Sequence, residues 1–358
     1  MVGSRKAHRK HARSVRWGKR RGAVVLGVAL LAFVGVAVMA VAEDPTTGDG
    51  DAPDRSSQQT MFRAFDADSW WNAPLPEDTP LNPHSTEILE YMRTAPESGS
   101  GCLLFAGAGG SKWGHPIYWA DPSDSTYDVA GVSGDRPPEL SRLRIPDNAQ
   151  PAANSDGSMS VYDVQKGYVV ALTDADYDAS ADLWTASGAT VTYLDSNGLY
   201  AKTGRSDDPR NRGTHRGNNG ATMAVAWDEA RAGAIRHVLK VAAGPEVADR
   251  PVFPMVGSDG DYRGDDPAVP PQGLRFRIKP SVDLERFDLK EDALVIAQAL
   301  QRYGFYIGDS GGTTALKLQN TIAEGRGQLW NVPADALCNL PFTREYWDVV
   351  AEGYDPSR

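Results

Sequence analysis

Cysteine is nearly missing: the 358 residues hold two, Cys102 and Cys338. Neither lies in a CxxC motif or a Cys/His cluster, which argues against a zinc site or a nucleophilic thiol. No Walker A loop, HExxH pair or GxGxxG fingerprint occurs either, so the commonest nucleotide and zinc readings have no support. Acidic residues are missing from the first 21 positions, and charge of either sign is missing from Gly22 to Ala42. Aromatic and large aliphatic side chains are missing from Glu43 to Thr60, "EDPTTGDGDAPDRSSQQT". That stretch can add nothing to a core and reads as a flexible acidic linker. Beyond it, no internal repeat and no Pro/Gly/Ser linker breaks the remaining roughly 298 residues, which read as one domain.

The first 21 residues carry nine Lys or Arg, and the uncharged run behind them is an export signal or a signal anchor. A cleavable signal has an apolar core of roughly 7–15 residues, so the greater length here points to a retained span. Ala40-Val41-Ala42 before Glu43, on the other hand, is a small-x-small cleavage site. Either way the basic flank stays cytoplasmic and the rest crosses the membrane. The expected organisation is a basic head with signal peptide or anchor over 1–42, a linker over 43–60, and one extracytoplasmic domain over 61–358, either secreted or membrane-anchored. Setting aside the nine N-terminal bases leaves 28 Lys and Arg against 47 acids, about −19, which disfavours nucleic acid as a partner. With both cysteines on the exported side, where oxidation is permitted, one disulfide joining the early and late parts of the domain is expected.

From Cys102 onward, "HPIYWA", "SRLRIP", "SMSVYDV", "GYVVALT", "ATVTYLD", "RHVLKVAA" and "LRFRIKP" are short β-branched or aromatic runs between Gly, Pro, Asn and Asp turns. Their spacing predicts a mainly β fold, a β-sandwich or jelly-roll-like domain with a few short helices. One helix is expected near Ser85 to Arg93 and another over "LKEDALVIAQALQRYG", ending on Gly304. "FYIGDSGGTTALKLQ" reads as two strands around a Gly-Gly turn.

The blocks "ADLWTASGATVTYLD", "WDEARAGAIRHVLKV", "PPQGLRFRIKPSVDL" and "ALQRYGFYIGDSGG" resemble, in this order, a family of secreted bacterial proteins frequent in actinobacteria, one with no settled biochemical activity. The resemblance covers roughly Phe65 to Trp330. It implies an exported, β-rich domain directed at polysaccharide or the cell envelope. In similar proteins a histidine stands at the position of Ser158 and a glutamate near Ala171; their absence here implies binding without catalysis if those residues carry the chemistry.

The candidate catalytic residues are His237, Glu229, Asp156 and His215. In "AIRHVLKV" a period of two places Ile235, His237, Leu239 and Val241 on one face and Arg236, Val238 and Lys240 on the other, so His237 points inward. Such an imidazole is either a hydrogen-bonded core residue or an acid–base group, with Glu229 on the short preceding helix as its partner. His215 sits in "RNRGTHRGNNG", a loop of the kind that meets ligands or simply faces solvent. "RLRIP" and "RFRIKP" align arginines on single faces, either solvated or able to neutralise uronate or phosphate. In "DADYDASAD", Asp174, Asp176 and Asp178 alternate like the start of a calcium loop, although Ala179 replaces the turn glycine and Thr185 the closing glutamate. "GSDGDYRGDD" is a second, looser acidic cluster; a plain acidic turn explains either. Nine tryptophans fit sugar stacking or core packing. The functions expected are a polysaccharide hydrolase or lyase with a His/carboxylate site, or a noncatalytic glycan- or envelope-binding protein on the same scaffold.

Overall fold

The β-branched runs become strands in the computed structural model, which describes residues 62–358 apart from 135, 214 and 215. These residues fall in one unit, 59–358. The expected signal or anchor at 1–42 and the linker at 43–60 lie outside the described residues. Among the described residues no helix is long and apolar enough to cross a membrane.

Eleven strands build two open sheets: β1 (Leu104–Ala106), β2 (Ile117–Trp119), β3 (Met159–Asp163), β4 (Tyr168–Thr173), β5 (Gly188–Tyr193), β6 (Arg212–Gly213), β7 (Leu239–Ala243), β8 (Arg275–Ile278), β9 (Phe305–Ser310), β10 (Ala315–Lys317) and β11 (Trp347–Val349). One sheet runs β6-β5-β4-β3-β2 and is antiparallel except where β2 joins β3. The other has the order β1-β10-β7-β9-β8-β11 and mixes parallel pairs, β1 with β10 and β7 with β9, with antiparallel ones. The mainly β class is therefore present, with helices α1 (Ser85–Thr94), α2 (Trp227–Arg231) and α3 (Glu291–Arg302) beside it. The strands on either side of the Gly-Gly turn form as expected but do not pair with each other. Instead β7 lies between β9 and β10, parallel to the first and antiparallel to the second.

Alternation along the strands separates the cores. In the six-stranded sheet Leu239, Val241, Phe276, Ile278, Phe305 and Ile307 face a cluster that includes Ile296 and Leu300 of α3 and Leu89 and Met92 of α1. In the five-stranded sheet Met159, Val161, Val170, Leu172 and Val191 face a second cluster, closed by Leu140, Ile145 and Trp184. The remaining faces of both sheets are covered too. Trp70, Trp71 and Tyr306 form one cluster there, and Ile117, Tyr162 and Val169 another, with Ala221 and Ala224.

This double covering corrects the reading of "RFRIKP". Arg275 and Arg277 do share a face, but that face is buried, leaving them 3% and 2% exposed. Their guanidinium groups donate to main-chain carbonyls of Ala73, Tyr303, Pro76 and Glu77, and Arg277 lies 3.3 Å from Asp348. They tie the opening loop to the sheet and neither face solvent nor await a ligand. Cys102 and Cys338 are joined by a disulfide across a sequence separation of 236, linking the segment that leads into β1 to the loop preceding β11.

Candidate functional site

Helix α2 is one short turn of chain whose first residues include Asp228 and Glu229, acids favoured near an N-terminus, and it gives way to Gly233 at φ 80°. The strand after it starts at Leu239, later than the alternation of "AIRHVLKV" predicts. Val238 donates its N–H to the Trp71 carbonyl, and the ladder with β9 opens only at Leu239 opposite Phe305. His237 consequently occupies a bend rather than a strand, yet it is buried, 5% exposed.

Its two ring nitrogens are both engaged: Nε2 lies 3.2 Å from Glu229 Oε2 and Nδ1 2.9 Å from the Val238 carbonyl oxygen. A carbonyl oxygen can only accept, so Nδ1 carries a proton. At Nε2 the partner is the Glu229 carboxyl group, and a contact of this kind favours the ring form in which Nε2 is protonated too. Burial opposes the charged ring most strongly, but the Glu229 charge, its hydrogen bond and the Val238 carbonyl outweigh that opposition and hold His237 above its ordinary pKa.

This pair lies on the wall of a cavity of about 170 Å³. Trp119, at the end of β2, lies nearly flat on Tyr162 of β3, with ring centroids 4.5 Å apart and planes inclined by 12°. Phe62 meets both rings edge-on, at 4.8 Å and 5.3 Å. All three line the cavity, and Trp119 remains 48% exposed. Arg63 stands on the same wall; its Nη2 donates to the Asn72 carbonyl at 2.7 Å, and its Nε is buried with no hydrogen-bond partner. Asp228 also lines the cavity, but its exposed carboxylate lies 3.3 Å from Arg326.

The other expected residues are elsewhere. Asp156 lines a different cavity of about 290 Å³, reached from both sheets, so it is not gathered with His237 and Glu229. His215 lies outside the described residues. Ser158 and Ala171, where similar proteins were expected to carry histidine and glutamate, line the same cavity as Asp156. There too stand residues that the sequence reading passed over: His115, Arg216, Lys240 and Asp309. His115 Nε2 is 2.7 Å from Ser160 Oγ, and burial, helped by the charges of Lys240 and Lys317, drops its pKa to about 3. The available signal was Lys240 itself, a lysine in mid-strand between Leu239 and Val241.

The geometry lends the calcium reading little support. Asp176 and Asp178 lie on a two-stranded hairpin (Asp176–Asp178 with Leu183–Thr185) rather than in a loop closing on an ion. Asp178 Oδ1 accepts from the N–H and hydroxyl of Ser180, at 2.8 Å and 2.6 Å, and Asp174 Oδ2 accepts from Ser187 Oγ at 2.6 Å. These are turn-capping roles. Among the described residues no three His, Cys, Asp or Glu side chains are assembled to hold a metal. The chain matches no family model, no curated protein and no solved structure.

Proposed function

We propose that this is an extracytoplasmic protein directed at polysaccharide or cell-envelope glycan, on a sandwich-type scaffold, and that its saccharide site is the cavity carrying His237 and Glu229. The observation behind this reading is the placement of an exposed indole, Trp119 on Tyr162, at the cavity that holds the buried His237–Glu229 pair. Sugar rings present C–H faces that pack on an indole, while their hydroxyls need donors and acceptors of the kind His237, Glu229 and Asn72 supply. Proton transfer of the lyase type suits the site better than two-carboxylate hydrolysis. Glu229 is already committed to His237, and Asp228 is exposed and paired with Arg326. Arg63 would offset a uronate carboxylate while His237 and Glu229 exchange a proton with the sugar. The secreted or anchored location and the kinship with secreted actinobacterial-type proteins belong to the same proposal.

A second reading, glycan binding without turnover, is favoured by one observation: the His237 side chain is only 7% exposed, with both nitrogens occupied. The two readings separate in one experiment on the domain from Met61 onward. A panel of acidic and neutral polysaccharides is tested for binding and for reducing ends or unsaturated products. Unsaturated products that disappear in His237→Gln support the lyase; binding that survives in that variant, without products from either protein, supports the binder. No binding to any glycan overturns both.

A further inference from the structure

The cavity between the sheets holds a buried amine that the glycan reading does not use. Alternation turns Lys240 away from Leu239 and Val241, toward the five-stranded sheet, and leaves its side chain 7% exposed. Its backbone is fixed, since β7 is paired on both edges. The ammonium nitrogen lies 3.7 Å from Asp309 Oδ2. Arg216 is hydrogen-bonded to Asp309 and lies 3.3 Å from Asp259, and Lys317 stands on the same wall. A buried lysine beside other cations is the arrangement that turns an ammonium into a usable nucleophile.

We propose that Lys240 is the reactive amine of a second site, which captures small carbonyl compounds bearing a carboxylate, aldehyde acids or α-keto acids, as a reversible imine. The site has room and access. The inner cavity of about 290 Å³ shares Asp156, Ser310 and Lys317 with an outer one of about 530 Å³ that extends to the exposed ring of Trp113. The carboxylate would be met by Arg216 and Lys317, and the carbonyl carbon by the nitrogen of Lys240. The chemistry balances without an oxidant or reductant. Lys240 first releases a proton to solvent; its lone pair then forms the C–N bond as the C=O π bond breaks and the oxygen takes up a proton from water, and the carbinolamine loses its N–H proton and its hydroxyl as one water to leave the C=N bond. Burial lowers Lys240 to about 8; Asp309 and Asp259 oppose the shift, while Arg216 and Lys317 assist it. His115, kept neutral, adds no competing positive charge.

The test uses the intact protein, glyoxylate as the probe and cyanoborohydride to trap the imine, with adducts mapped by peptide mass spectrometry. An ordinary lysine titrates near 10.4, so close to pH ~7.5 the uncharged fraction of Lys240 exceeds that of such a lysine roughly two-hundredfold. Restricted access removes part of that advantage, and the expected result is labelling of Lys240 at least ~10-fold faster than Lys166, Lys202 or Lys290. Its rate should level off above pH ~8. Asp309→Asn should change that profile with Lys240 intact. Labelling of the surface lysines with Lys240 untouched, or labelling of Lys240 only after the protein unfolds, overturns the proposal. Either outcome leaves the glycan site unaffected, because His237 and Glu229 line a different cavity.

Discussion

His115 and His237 are both buried, yet their surroundings drive them to opposite protonation states. His115 meets a hydroxyl and two lysine charges, while His237 meets a carboxylate and a carbonyl. The stability consequences have opposite sign. His115, lowered to about 3, contributes stability that is complete above the unfolded value near 6.5 and is lost as pH falls toward 3. Over that window it adds a slope of up to about 1.4 kcal/mol per pH unit. Urea unfolding of His115→Gln should therefore lose less stability between pH ~7 and ~5 than the parent protein does. Equal losses would show that His115 is not held neutral.

For His237 the pKa is raised, so its contribution is complete below the unfolded value and disappears as pH climbs through the folded one. The cause is testable directly. In Glu229→Gln the favourable charge is removed while the shape is kept, burial then dominates, and the imidazole resonance should titrate at lower pH than in the parent protein. An unchanged titration would mean that the 3.2 Å contact is not what protonates the ring.

The buried arginine pair gives a stability test away from both cavities. Arg277 supports the carbonyls of Pro76 and Glu77 and faces Asp348, so Arg277→Met strips the nearer of two cations from a buried carboxylate, leaving Arg344 at 3.8 Å. The expected cost is about 3–5 kcal/mol, with no change in glycan binding, because Arg277 lines neither cavity. A loss below ~1 kcal/mol would refute the structural role assigned to it.

Some of this was legible in the sequence, and the reasons differ by element. Periodicity located β3, β4 and β5 and helix α3 closely, since local alternation decides such elements. The Glu229 and His237 partnership was also readable, because only eight positions separate them and a glycine turn brings them back together. What alternation could not supply was the number of covered faces. Arg275, Arg277 and Lys240 sit on faces that a one-sided sheet would give to water, and the mixed pairing of β7 with β9 and β10 buries them. Asp156 was misgrouped for the same reason: its distance from His237 depends on how the two sheets lie, which no local pattern encodes.

The Cys102–Cys338 disulfide spans most of the described domain, and by loop closure its removal should cost up to ~5 kcal/mol, most of it through the unfolded chain. Cys102→Ala/Cys338→Ala is expected to melt well below the oxidised protein, and reductant should lower the melting temperature of the parent but not of the double variant. A parent that melts identically with and without reductant, once free thiols are verified, would show that the link adds nothing.

The sharpest test of the proposed saccharide site is Trp119. Its ring is nearly half exposed and packs on Phe62 and on Tyr162 at the rim of the small cluster with Ile117 and Val169, so Trp119→Ala should cost the fold about 1 kcal/mol or less beyond lost stacking. An indole that packs on a sugar contributes to binding by a comparable amount or more, so affinity for the responsive glycan should fall roughly 5- to 20-fold, and Trp119→Phe should recover part of it. Isothermal titration calorimetry with the domain from Met61 onward measures both effects against the melting temperature. If affinity is unchanged in Trp119→Ala while the same glycan still binds, the saccharide does not touch this cavity. The His237–Glu229 pair would then be a structural feature of the bend that precedes β7.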